Sequence, residues 1–429
     1  MRTEILAGVS LYFSLAYILV VNPAILAKGG FNPSSVLFAT AVASGLISIL
    51  MGVWARLPFA LAPGLEMNGF VAFSAIGVMG LTVGQALGAV FWSGVLCVLL
   101  TWLPLRGLII RSIPAGLQSN LALSVGVFVL TIGLFLAKLV VFDGGLPSGV
   151  GSPLSYEAIA LYIGLTFCIG LRLSYGAGSS FIRAAAGASF LVAILASCVF
   201  CRSVGIAADG ATSLSTEMFS GIGLLDWWPF SHGATWTVFL VLFLIDFYGS
   251  IGKFIGLTAA TNLRSREQGV IGLEKAMYVD GIGTMGGALL GTTSVITYVE
   301  SAIGIHAGGR TGIVAITCGV LMLASLVFTP LVSLVPVVAT SGVLVYVGYA
   351  LFPRDAWLSG EFGTFDVVVG VLMAIVSFVT FSLDKAMLLG FGAYAVQPLF
   401  RKDVCWNSVL VVSCILLFIS VAVQLKFLS

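Results

Sequence analysis

The sequence predicts an all-α polytopic membrane protein of about fourteen transmembrane segments, on three observations. Of 429 residues, 59% are hydrophobic and 8% charged, with a mean hydropathy of +1.15. Soluble chains carry about 25% charged residues, so this much apolar surface has to face lipid. Apolar runs of about 20 residues, the length of a membrane-crossing helix, recur along the whole chain. The alternating pattern of outer-membrane strands is absent, which leaves helices as the spanning element. The lipid bilayer is therefore the expected surrounding. A net charge of +2 with no basic cluster argues against nucleic acid as a partner.

The first run, 5–26, is longer than a signal-peptide core and no small-residue cleavage site closes it, so it reads as a retained span. Spans follow near 35–54, 59–78, 83–103, 114–141, 156–172, 181–206, 235–257, 276–291, 293–306, 312–333, 336–352 and 407–427. The stretch 364–400 is either one broken segment or two. Seven cysteines fall mostly inside these runs without metal-ligand spacing; they read as free thiols, and no metal or cofactor is expected. Gly283, Gly287 and Gly291 recur every fourth residue, which suits close helix packing.

With the N-terminus inside, the cytoplasmic loops collect Arg56, Arg106, Arg111, Arg172, Arg183, Arg264, Arg266, Lys275, Arg310 and Arg354. The other side holds Lys28, Lys138 and Arg202 beside the acids Asp143, Glu157, Asp209, Glu217 and Asp226. That bias predicts a cytoplasmic N-terminus in a plasma (inner) membrane protein.

Two spans, 59–78 and 293–306, are too polar and too broken by Gly or Pro for plain lipid-facing helices. Each is third in its run, one counted from the start and the other from span 235–257. Interrupted segments at corresponding positions of two halves point to a transporter's midplane site. Seven spans per half give the opposite orientations of an inverted repeat. Glu300 lies in one broken span and Glu66 in the other, with Asp246 in a third apolar setting. Ionisable groups there are expensive, from ~3 kcal/mol upward, and mark a partner or a solute path.

The string Thr297-Tyr-Val-Glu300-Ser-Ala-Ile-Gly304-Ile-His-Ala-Gly308-Gly-Arg-Thr-Gly312 resembles the hallmark of the adenine/guanine/hypoxanthine permeases. These form the AzgA-like branch of the nucleobase–cation symporters, related to the nucleobase–ascorbate transporters. Ala62-Pro-Gly-Leu-Glu-Met-Asn68 and Ile245-Asp246-x-x-Gly249-Ser-Ile251 support the likeness. It implies seven plus seven inverted helices split into core and gate domains, with short strands in spans three and ten. Core segments would be 1–105 and 235–335; gate segments would be 106–234 and 336–429. The substrate would sit between the two broken spans, against Asp246 and Glu300, with Asn68 on span three. Relatives of this fold also imply a homodimer.

The chemistry agrees. A purine displays N–H donors, ring-nitrogen or carbonyl acceptors and two flat faces; carboxylates, backbone N–H groups and aromatic rings answer each in turn. The substrate-binding residues expected are Glu66, Met67, Asn68, Asp246, Phe247, Tyr298, Glu300 and Ser301. Asp246 and Glu300 would also couple transport to a proton rather than to sodium, because a buried carboxyl group gains or loses its charge as its neighbours change. Arg310 reads as a cap on helix carbonyls. The chain departs from the family's pattern: Glu66 stands where the family has Gly, and in the span-eight motif Phe247 replaces Thr and Lys253 replaces the last Gly. Glu66 then either pairs with Lys253, enters the pocket, or rests in a hydrated position. No ATP-binding loop or zinc-enzyme motif is present, so the reading is a secondary active importer of a purine-like nucleobase and not an enzyme. Transport of another, cationic heterocycle and anion exchange on the same fold are the alternatives.

Overall fold

The computed structural model describes residues 1–103, 113–143, 146–173, 189–206, 216–261, 264–265, 269–270, 272–328, 334–353, 357, 360, 362–400 and 406–428. The first apolar run gives α1 (Arg2–Leu15) and α2 (Ile18–Ala27), joined at Ala16 and Tyr17. Helix α3 (Pro33–Leu50) opens on Asn32, whose side chain accepts from the N–H groups of Ser34 and Ser35. Pro33 takes the first helical position, where an N–H has no partner anyway. The helix runs on as a π-helix, Met51–Ala55, and stops at Arg56 with φ +57°.

The first interrupted span is then strand β1 (Leu61–Pro63) followed by α4 (Leu65–Gly69), prolonged as a π-helix over Phe70–Val78. Next come α5 (Val83–Trp102), α6 (Ala115–Leu136), a hairpin of β2 (Val140–Asp143) and β3 (Leu146–Val150), α7 (Tyr156–Leu173) and α8 (Ser189–Ser203). The second stretch holds α9 (Gly233–Thr261), the short pair β4 (Arg264–Ser265) and β5 (Gly269–Val270), and α10 (Leu273–Leu290). The other interrupted span follows as β6 (Val295–Thr297) and α11 (Ser301–His306). Helices α12 (Gly312–Ala324), α13 (Ser341–Ala350), α14 (Thr364–Thr380), α15 (Leu383–Phe400) and α16 (Ser408–Leu428) complete the chain.

Among the described residues five helices have the length and hydropathy to cross a bilayer: Arg2–Ala27, Pro33–Ala55, Val83–Trp102, Ala115–Leu136 and Gly233–Ser250. Seven further apolar helices are shorter. The stretch 364–400 is two helices, turned at Phe381 with φ +45°. Large apolar side chains face outward, Trp102 at 69% exposure and Val199 at 71%, as a lipid-facing surface requires. Cys198, Cys201, Cys318 and Cys414 are free thiols; Cys405 lies outside the described residues. So do Arg106, Arg111, Arg183, Arg266 and Arg354 of the charge count, and the side chains of Arg172 and Arg264.

Helices α3 and α12 pack together, as do α5 and α10, α1 and α12, and α5 and α9. Separately, α6 packs on α13 and α14, and α7 on α8 and α13. Close approach at glycine sets two of these contacts: a Cβ on Gly45 would come within 2.9 Å of the Gly319 carbonyl, and one on Gly94 within 3.0 Å of that of Gly281. The 283–291 glycine repeat is a close-packing face, as expected, shared between helix α3 and extended chain: an added Cβ would lie 3.1 Å from Ile47 Cγ2 of α3 and 2.4 Å from Val295 O at Gly283, 2.1 Å from Thr293 O at Gly287, and 2.6 Å from Gly221 O at Gly291.

Candidate substrate site

Strands β1 and β6 pair antiparallel, with Leu61 opposite Thr297, Ala62 opposite Ile296 and Pro63 opposite Val295. Gly64 N–H donates to Ser294 O at 2.9 Å and Tyr298 N–H to Ala60 O at 3.1 Å, which extends the ladder at both ends. Buried side chains hold the strands in place. Leu61 N–H donates to Ser48 Oγ at 2.9 Å on α3, and Thr297 N–H to Asp280 Oδ1 at 3.0 Å on α10. Ala60 N–H donates to Ser301 Oγ at 3.0 Å. Such exchanges satisfy backbone groups that cannot reach water.

Near this crossing lies a cavity of about 300 Å³. One wall is Glu66 on α4, Val299 and Ala302 around α11, and one face of α9 with Ile245, Tyr248, Gly249, Lys253 and Leu257. The facing wall is Gln118, Leu121, Ala122 and Val125 on α6, Ala350 and Leu351 at the end of α13, and Leu383 and Met387 on α15. A mostly apolar pocket with a few convergent polar groups is the usual form of a small-molecule site.

The structure places the eight expected residues as follows. Glu66 lines the cavity, and its Oε1 accepts from Lys253 Nζ at 2.7 Å. Met67 is core. Asn68 is fully buried, and its Oδ1 accepts from the Thr293 hydroxyl ahead of β6, so it ties the two broken spans together. Asp246 neighbours the lining residue Ile245; its carboxylate accepts from Thr284 Oγ1 at 2.7 Å and Ser250 Oγ at 3.2 Å, toward α10. Phe247 packs against Phe243 and Tyr248 at 5.3 and 5.2 Å between ring centres. The Tyr298 hydroxyl donates to Pro63 O, and Lys253 Nζ stands 5.9 Å from the centre of its ring. Glu300, beside the lining residue Val299, accepts from the Tyr17 hydroxyl at 3.0 Å. Ser301 holds Ala60, as above.

The pairing of Glu66 with Lys253 is the first of the three alternatives left open by the sequence, and both side chains line the cavity. Arg310 caps as expected, donating from Nη1 to Ile305 O at 2.6 Å and Gly309 O at 2.9 Å. Sequence reasoning missed Gln118, Tyr248 and Asp280. Tyr248 lies three residues after Ile245, on its face of α9, and that helical spacing was a usable signal. Asp280 carried one too, as a carboxylate in the apolar run 276–291.

The sequence profile of the permease family Xan_ur_permease matches residues 2–352. The adenine permease AdeQ of Escherichia coli (strain K12) is 33% identical over 399 residues, 92% of this chain and 87% of that protein. The guanine/hypoxanthine permease PbuO of Bacillus subtilis (strain 168) is 31% identical over 432 residues, 97% of this chain and 96% of that protein. Among solved structures, the transmembrane domain of the cyanobacterial bicarbonate transporter BicA superposes with a TM-score of 0.64 at 15% identity, over 91% of this chain and 97% of that one. The murine anion transporter Slc26a9 in its inward-facing state gives 0.63 at 13% identity, over 94% and 69%. At these identities the structural likeness speaks to fold. The chain is an integral membrane transporter and not an enzyme, and it belongs to the Xan_ur_permease family, among relatives that include adenine and guanine/hypoxanthine permeases.

Proposed function

We propose that this permease is a secondary active transporter that imports a purine-like nucleobase together with a proton, by alternating access. The observation that carries the reading is the cavity beside the crossed broken spans, with Glu66, Lys253, Gln118 and Tyr248 among apolar walls. Its walls divide along the domain limits read from the sequence. Glu66, α9 and α11 belong to segments 1–105 and 235–335; α6, α13 and α15 belong to 106–234 and 336–429. A solute held between two such bodies is exposed to either side as one rocks against the other.

Exchanged contacts support the inverted repeat. Spans two and eleven (α3, α12) pack as spans nine and four do (α10, α5), and spans one and eleven as spans eight and four. The ladder bonds Gly64 to Ser294 and Tyr298 to Ala60 are likewise exchanged by a local two-fold centred on Ala62 and Ile296. Purine specificity rests on the named relatives, a cytoplasmic N-terminus on the charge bias, and a dimer on family resemblance alone.

Uptake of radiolabelled hypoxanthine and adenine into proteoliposomes holding the purified protein tests the reading. Saturable accumulation driven by an inward proton gradient is expected. Transport of bicarbonate or sulfate without nucleobase uptake would instead establish the anion-exchange reading that the fold neighbours represent.

A further inference from the structure

We infer that Glu66 and Lys253 form the charge filter of the substrate cavity: a self-neutralised pair that admits uncharged heterocycles and rejects cations and anions. The inference rests on the transport reading above and deepens it.

Both side chains line the cavity, and their charged atoms are 2.7 Å apart. Their side chains are 7% and 14% exposed, so neither charge has bulk water to fall back on. The local two-fold of the strand ladder also links Glu66 to Glu300, since each glutamate lies four residues beyond the central pair Ala62 and Ile296. Both are 5% exposed. Their partners obey the same exchange: Tyr17 of the first span donates to Glu300, and Lys253 of the eighth donates to Glu66. The fold thus offers two equivalent acid positions, and Lys253 neutralises the one held by Glu66.

This has a chemical consequence for the ligand. A neutral heterocycle with an N–H beside a ring nitrogen or carbonyl can enter next to the pair, giving its N–H to Glu66 and accepting from Lys253. The pair stays neutral throughout, because the ligand brings no charge of its own. A cationic heterocycle would bind Glu66 only by competing with Lys253 and would leave the ammonium stranded. An anion would strand Glu66 in the same way. Uncompensated buried charge is heavily penalised, so selection by net charge follows from the pair itself. The Tyr298 ring, 5.9 Å from the ammonium, further fixes Lys253 in place.

Competition against radiolabelled hypoxanthine uptake tests this with three probes: unlabelled hypoxanthine, a dimethyladeninium cation, and urate as an anion. Wild-type protein should be inhibited by hypoxanthine alone. Lys253→Met leaves Glu66 unpaired and should raise the relative potency of the cation by on the order of tenfold or more. Glu66→Gln should do the same for urate and not for the cation. The double variant should return to neutral-only competition. Effects of opposite sign are the diagnostic result, because loss of a merely structural pair would weaken uptake without regard to probe charge. Folded single variants that keep the wild-type order, or both shift toward the same probe, would overturn the inference. Should a single variant fail to fold, the wild-type panel still decides, since equal potency of either ion and hypoxanthine would overturn it. Absence of any hypoxanthine uptake by wild type would strike the transport reading instead, and binding of the three probes to purified protein then measures the filter directly.

Discussion

The Tyr17 hydroxyl, which donates to Glu300 at 3.0 Å, links the junction of α1 and α2 to the head of α11 across a sequence separation of 283 residues. Glu300→Gln keeps the side chain's size and removes its charge and its exchangeable proton. Gradient-driven accumulation of hypoxanthine should be abolished while the protein still reaches the membrane; accumulation at the wild-type level would refute the role given to Glu300. Tyr17→Phe removes a single hydrogen bond, about 0.5–1.5 kcal/mol, or roughly two- to tenfold in affinity or rate. Initial-rate uptake should fall within that range without loss of accumulation. A complete loss would mean that Tyr17 does more than hold the carboxylate.

Among the elements, the broken spans depend on the close fit of α10 against the chain that enters β6. A Cβ on Gly287 would sit 2.1 Å from Thr293 O, whereas one on its neighbour Gly286 would meet only Ile47 Cδ1 at 3.8 Å. Gly287→Ala should therefore lower the melting temperature sharply and Gly286→Ala should barely move it, as read by thermal melting in detergent. Equal tolerance of the two would place the strand elsewhere. Asp280 adds to the same fit. Asp280→Leu strands Thr297 N–H, a loss of about 1–3 kcal/mol, while Asp280→Asn keeps an acceptor; the Leu variant should melt below the Asn variant. Much of this scale was legible beforehand. Gly and Pro interruptions marked 59–78 and 293–306, and the apolar runs marked most helices, because both signals are local. What stayed hidden was set by tertiary contact. The turn at Phe381 has no Gly or Pro to announce it, and its left-handed backbone is accompanied by stacking on Phe128, 4.8 Å between ring centres. The orientation of Asp246 toward Thr284 and Ser250 was hidden for the same reason, since spacing placed it near the site without saying which neighbour it would reach. Lys253 was flagged as a partner for Glu66, but its place in the cavity wall needed the fold.

Across the whole molecule, the charges of the site have to tolerate an apolar surround in every state that alternation visits. Among the described residues the buried acids are Glu66, Asp246, Asp280 and Glu300, and Glu66 is matched by Lys253. A carboxyl group away from water is costly as an anion and far cheaper as the neutral acid. Passage of the substrate-loaded carrier with an ionised carboxylate facing the apolar interior is therefore unfavourable, and protonation removes the obstacle, so that substrate and proton cross together. On the proposed reading the proton binds from outside with the substrate and leaves inside, so the sign is fixed. Lower external pH raises proton occupancy of the outward-facing carboxyl and steepens the inward gradient, and both act to increase uptake. Hypoxanthine accumulation should rise as external pH falls, collapse with a protonophore, and be indifferent to replacement of sodium by potassium or choline. Glu300→Gln, fixed in a neutral form, should lose that pH response yet still exchange labelled for unlabelled hypoxanthine across a membrane without a gradient. A sodium requirement with a flat pH profile in the wild type would reassign the coupling ion. Exchange and accumulation lost together in a folded Gln variant would make Glu300 a substrate ligand with no separable part in coupling.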